Sequence, residues 1–258
     1  MTYIDTHAHL YSEKFDEDRH EMIQRAFDQG VEKIFLPNIS IDSISGMEQL
    51  VDDYPQKCYA MLGIHPCDIK KDWEVQLTEI KKHFKKDKYI AIGEIGMDLY
   101  WDKSLQKEQS LAFEAQIKWA KEEKLPIAIH ARDAFDEIFE VVDKLNDDNL
   151  TGVFHCFTGN ESQAKKILDY GGFKLGIGGV VTFKNSGLDK VLESIPLSEL
   201  ILETDAPYLS PAPHRGKRNE SSYIPLIAKK LSNIYKLDEK EIGQITTKNA
   251  LELFNVKP

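Results

Sequence analysis

Residues 89–132, YIAIGEIGMDLYWDKSLQKEQSLAFEAQIKWAKEEKLPIAIHAR, spell out one complete strand–helix–strand unit. The run over 89–94 is apolar at consecutive rather than alternate positions, the pattern of a strand covered on both faces. An amphipathic segment over 104–123 follows, with Leu111, Ala115, Ile117 and Ala120 on its apolar face. A second apolar run over 126–129 then breaks off at His130-Ala131-Arg132.

The same alternation extends in both directions. Further strand patterns fall at 3–5, 33–37, 58–64, 152–154, 173–177 and 200–203, and helical patterns at 16–29, 133–145, 162–170 and 224–235. Gly30 is a stop signal for the first helix, and Asp238, followed three residues on by Glu241, caps a terminal helix over 238–254. Eight strands alternating with helices favour an α/β fold of the closed (β/α)8 TIM barrel type over an open doubly wound sheet. No Ser/Gly linker or internal repeat divides the chain, so one barrel domain is expected over 1–258.

Composition narrows the function. A net charge of −10 argues against broad coating of nucleic acid, which needs a basic face, though not against a basic patch beside bound cations. The odd set Cys58, Cys67 and Cys156 lacks a disulfide or CxxC pattern and suggests reduced thiols. No segment approaches the roughly 20 apolar residues that cross a bilayer, and no basic-then-apolar leader opens the chain. A cytoplasmic protein, without membrane partner and monomeric, is the expectation.

Chemistry concentrates where the strands end. The first runs into His7-Ala8-His9, the third into His65-Pro66, the fourth into Glu94, the fifth into His130, the sixth into His155 and the eighth into Glu203-Thr204-Asp205. A barrel gathers all these ends on one face, where active sites are built. His7 and His9, two apart, share one side of an extended segment. An HxH pair alone is a weak signal; joined by Glu94, His130, His155 and Asp205 it becomes a metal-ligand set. Six ligands exceed one tetrahedral site and suit two divalent ions, roughly 3.5–4 Å apart, able to activate a shared water. A carboxylate can bridge two cations where an imidazole cannot, which makes Glu94 the natural bridge. Asp205 can bind one ion and accept a proton from the water, so Glu94 and Asp205 are the catalytic candidates. The donor set suits zinc, magnesium, manganese, nickel or iron.

In order and spacing these segments resemble the TatD-type metal-dependent hydrolases and deoxyribonucleases of the amidohydrolase superfamily. The matching motifs are Asp5-Thr6-His7-Ala8-His9-Leu10, Gly63-Ile64-His65-Pro66, Gly93-Glu94-Ile95-Gly96-Met97-Asp98 and His130-Ala131-Arg132. They continue with His155-Cys156-Phe157-Thr158-Gly159, the run from Glu203 to Leu209, and Arg215-Gly216-Lys217-Arg218-Asn219-Glu220. The resemblance implies His7, His9, Glu94 and Asp205 around one ion, with Glu94, His130 and His155 around the other. It departs at Leu99 and Ser221, where the family often has Tyr and Pro, and neither position is a ligand.

Other residues have two readings each. His65 binds a phosphate oxygen or an extra ion, or merely closes its strand. Arg132, on the side of His130, offers a planar fork to a phosphate, or pairs with Asp133. Glu203 buttresses a ligand histidine or forms a buried ion pair. Cys156 is expected to face away from its neighbour His155 as a packed thiol. The basic loop with Arg215, Lys217 and Arg218 grips phosphates or is solvated, and His214 is a candidate to overhang the same mouth. Tyr100 and Trp101 stack on a base or cover the rim. The leading expectation is a 3′–5′ exonuclease acting on ends of single-stranded DNA. Its alternatives are an amidohydrolase-type enzyme for a small amide, lactone or phosphoester, and a metal-binding scaffold without catalysis.

Overall fold

In a computed structural model that describes residues 1–258, the apolar runs become eight strands hydrogen-bonded in chain order. They are β1 Tyr3–Asp5, β2 Val31–Pro37, β3 Cys58–Met61, β4 Tyr89–Asp98, β5 Ile127–Arg132, β6 Gly152–Phe154, β7 Phe173–Ile177 and β8 Leu200–Leu202. Every ladder is parallel. The ring is completed where Thr6 N–H donates to Leu202 O at 3.0 Å and Asp205 N–H donates to His7 O at 2.9 Å. Helices α1 Arg19–Asp28, α2 Ile44–Asp53, α3 Trp73–Lys81, α4 Gln106–Glu123, α5 Phe135–Leu145, α6 Glu161–Asp169 and α7 Leu188–Leu192 lie in the successive crossovers. α8 Ile224–Tyr235 and α9 Glu239–Leu253 follow β8. This is the (β/α)8 barrel that the strand–helix alternation predicts.

Its core explains why the strands lack alternation. Ile4, Phe35, Met61, Ala91, Ala128, Val153 and Ile201, one from each of seven strands, form one cluster with Ala250, Phe254 and Val256. Residues from seven strands can meet only inside the ring, and the end of α9 plugs its lower opening. Their neighbours Ile34, Leu36, Ile92, Ile127 and Ile129 belong to the larger cluster that also takes in the helices. Two positions beyond Ala128, Val153 and Ile201 stand His130, His155 and Glu203, which share the inward face by strand periodicity. An apolar floor thus lies under a polar mouth.

Boundaries shift for local reasons. β3 stops at Met61 rather than 64, because Gly63 N–H turns to Asn38 Oδ1 at 2.7 Å. β4 continues past Glu94 because it keeps pairing with β5 as far as Asp98 opposite Arg132. α1 begins at Arg19 rather than 16, after a 3-10 turn over Glu13–Phe15. α2 escapes the sequence reading because Ser45 and Gly46 interrupt its pattern, and α7 because it has only 5 residues. At α9 the expected cap forms, Asp238 Oδ1 accepting Glu241 N–H at 2.7 Å.

Candidate metal centre

Glu94 is the hub of the barrel mouth, only 2% exposed, and its two oxygens face different partners. Oε2 lies 3.1 Å from His7 Nε2 and 3.4 Å from His9 Nε2. Oε1 lies 2.8 Å from His130 Nδ1, 2.9 Å from His155 Nε2 and 3.3 Å from His65 Nε2. Asp205 joins the first group, its Oδ1 3.6 Å from His9 Nε2 and 4.0 Å from His7 Nε2. His7 and His155 stack with centroids 3.8 Å apart, which joins the two halves. Close packing makes the approach possible. A Cβ on Gly96 would lie 2.1 Å from His130 O, and one on Gly176 would lie 2.2 Å from Glu203 Oε2. Asp205 has a left-handed backbone, φ 57°, which Asp tolerates better than most residues.

At His9, His130 and His65 the second nitrogen fixes what the first presents to Glu94. Tyr11 OH donates to Pro37 O at 2.6 Å, so it accepts from His9 Nδ1–H at 2.9 Å. A lone pair is left on His9 Nε2. Asp98 Oδ2 accepts from His130 Nε2–H at 3.0 Å, which leaves a lone pair on Nδ1. Glu203 Oε1 stands 3.3 Å from His155 Nδ1, a close charge neighbour rather than a hydrogen-bond acceptor. His65 is the reverse: its Nδ1 accepts Cys67 N–H at 3.1 Å, so Nε2–H donates to Glu94. Lone pairs aimed at a buried anion repel it unless positive charge stands between them. The donor set therefore fits a cation, with carboxylate-backed imidazoles of the type that metal sites use.

The local field makes the same demand. Burial opposes charge on His9 and His155, yet nearby oxygens (Tyr11, Asp205 and Glu94 for His9, Glu94 and Glu203 for His155) drive both imidazoles well above the usual range. Burial would also raise Glu94, but His65, His155 and His7 with the His130 hydrogen bond hold its carboxyl well below the usual value. His7 is lowered, by burial first and then by His155.

All six metal-ligand candidates come together here, and sequence reasoning missed two supports, Tyr11 and Asp98. Tyr11 carried no signal; Asp98 lay four residues after Glu94 in the strand motif. The cluster opens into a cavity of about 670 Å³, lined among others by His9, His65, Asp98, Trp101, Arg132 and Tyr208. Cys156 corrects an expectation: it lines this cavity rather than facing away, because its φ of 45° breaks strand alternation. The basic loop lies away from the ligand cluster. Arg218 is held by Asp18 through hydrogen bonds of 2.7 and 2.8 Å, and Arg215 lies over the Phe183 ring at 3.5 Å. Neither they nor Lys217 line the cavity, and His214 stacks on Tyr223 with centroids 4.1 Å apart. Arg132 forms no ion pair with Asp133; it lies 4.0 Å from the Tyr100 ring centroid.

A mouth of imidazoles and carboxylates on a (β/α)8 frame defines a metal-dependent hydrolase. The chain belongs to the TatD related DNase family, whose model matches residues 4–255. It is 40% identical to the metal-dependent hydrolase YabD of Bacillus subtilis, over 98% of this chain and 99% of that one. It is 32% identical to the 3′-5′ ssDNA/RNA exonuclease TatD of Yersinia pseudotuberculosis, over 98% and 99% of the two chains. The crystal structure of the TatD homologue YjjV from Escherichia coli superposes with a TM-score of 0.90 at 30% identity, covering 99% of this chain and 98% of that one.

Proposed function

We propose that this hydrolase removes nucleotides from the 3′ end of single-stranded DNA, using two divalent ions that share Glu94. His7, His9 and Asp205 would hold one ion with it, and His130 and His155 the other. The observation that carries the reading is the division of Glu94, one oxygen toward His7 and His9 and the other toward His130 and His155. When bound, the ions supply Lewis acidity and an activated water. Tyr11 and Asp98 hold the His9 and His130 imidazoles in their ligand tautomers, and Glu203 stands behind His155. Asp205, at the cavity wall, takes the proton of the attacking water. Arg132, free of carboxylates, meets a phosphate of the strand, and the Nε2–H of His65 steadies Glu94 while leaving no lone pair for an ion.

A terminal grip suits this molecule. The cavity is closed at the bottom by the barrel floor, and a net charge of −10 disfavours a long nucleic-acid footprint. The proposal includes a single domain over 1–258 acting as a cytoplasmic monomer; three free cysteines are in keeping with a reducing compartment. The test is degradation of a linear single strand beside its circular and 3′-blocked forms. Only the free linear strand is shortened on this account. Equal cutting of the circle makes the enzyme an endonuclease, and hydrolysis of a lactone or amide with DNA untouched gives precedence to the small-molecule reading.

A further inference from the structure

The geometry points to a nucleobase-stacking subsite on the rim, formed by Trp101 with Tyr100 and Arg132. This rests on the nucleic-acid substrate proposed above and adds how the strand is held. Eight large hydrophobic side chains are exposed, and Tyr100, Trp101, Tyr208 and Leu209, half of them, belong to the cavity rim or its margin. Trp101, at 69%, is far more open than a core indole, yet it lines the same cavity as Glu94 and His130. Tyr100, at 54%, stands edge-on to it, ring planes at 88° and centroids 4.9 Å apart. Such exposure forfeits the hydrophobic stabilisation a buried indole contributes, so a ligand that covers the ring gains it.

Two further features define the ligand. The Arg132 guanidinium lies 4.0 Å from the Tyr100 centroid and 5.1 Å from that of Trp101, with no carboxylate paired to it. A flat apolar face beside an uncommitted fork donor suits a planar base joined to a phosphate. The shelf is also fixed to the metal centre. Asp98 Oδ1 accepts the N–H groups of Tyr100 at 3.1 Å and Trp101 at 3.3 Å, while its Oδ2 accepts from His130. One carboxylate therefore sets both the ligand ring and the stacking platform, so a base on Trp101 is registered against the reacting phosphate. Every base has a π-face, so the subsite tolerates any sequence but requires a base.

The experiment combines Trp101 fluorescence with substrates carrying an abasic residue at each of the last three 3′ positions. In the metal-loaded protein, oligothymidylate quenches the emission, and an abasic residue at one position abolishes the quench; Trp101→Ala, which retains Trp73 and Trp119, shows none. Trp101→Ala raises KM for the intact strand about tenfold, within the range base–aromatic stacking supplies, with kcat within about twofold. On the abasic strand the two proteins have equal KM, and Trp101→Phe restores most of the difference. Quenching indifferent to the missing base, or a KM unchanged by Trp101→Ala, overturns the subsite. If DNA is cut normally while quenching ignores the base, the subsite falls and the nuclease reading stands. If quenching follows the base but no strand is cut, the nuclease reading falls and the subsite stands.

Discussion

Gly176→Ala tests whether the metal centre depends on packing several residues away from any ligand oxygen. A Cβ at this position in β7 would lie 2.2 Å from Glu203 Oε2 and 3.1 Å from His155 Cα. Relief to an ordinary contact of about 3.5 Å needs a movement of roughly 1.3 Å. Glu203 is fully buried, accepts Cys156 N–H at 2.5 Å and stands 3.3 Å from His155 Nδ1, so any shift disturbs the ring it backs. Overpacking of this kind costs about 1–3 kcal/mol. In a barrel of this size each kcal/mol lowers Tm by about 2–4 °C, so a fall of roughly 2–12 °C is expected. Metal affinity should weaken about 10- to 100-fold, as for other losses of a partner behind a ligand histidine. Thermal unfolding by circular dichroism and competition with a metallochromic chelator read the two effects. In a Glu203→Ala background the same alanine should add little to either, because the clashing carboxylate is gone. A Tm within about 1 °C of wild type with unaltered metal affinity would refute the reasoning.

Three other outcomes follow from the same geometry. Asp205→Asn should lower turnover at saturating metal by at least about 100-fold, since an amide takes no proton; near-normal turnover removes Asp205 as the base. Arg218→Ala should lower Tm by about 2–4 °C, the equivalent of about 1 kcal/mol for a half-exposed bidentate pair. It should leave KM and its salt dependence unchanged, and a salt slope shallower by about 0.7 would return Arg218 to the substrate. Hydrogen bonds from Arg218 and then Arg25 hold the Asp18 carboxyl at about 2. With the folded value below the unfolded one, the contact's stabilisation is complete above roughly pH 4 and fades as pH falls toward 2. In Arg218→Ala the acid-side decline of Tm should therefore be shallower; an identical decline contradicts this assignment.

What the sequence revealed, and what it concealed, follows from the range of the interactions. Strand periodicity is local, so the inward row from Ala128 to His130 and from Val153 to His155 was readable, and with it the ring of imidazoles and carboxylates at the mouth. Glu203 behind His155 was readable for the same reason, two positions before Asp205. Contacts between distant segments were not. Asp18 lies 200 positions from the Arg218 it binds, so the basic loop looked free to grip phosphate. Tyr11 backs His9 only because Pro37, 26 positions on, takes its proton. His65 looked like any other strand-end histidine until Cys67 N–H occupied its Nδ1 and turned the ring from ligand to donor. Cys156 defeated the alternation rule through a left-handed backbone that no residue type announces.

In the function proposed above, Glu94 serves two ions at once, one at each oxygen. Elemental analysis of the purified protein, with Glu94→Gln beside it and folding checked by circular dichroism, tests that most directly. The wild-type chain should carry close to two divalent ions, and Glu94→Gln should lose binding at both sites. One ion per chain at saturating metal, or a Glu94→Gln protein that retains both, contradicts it.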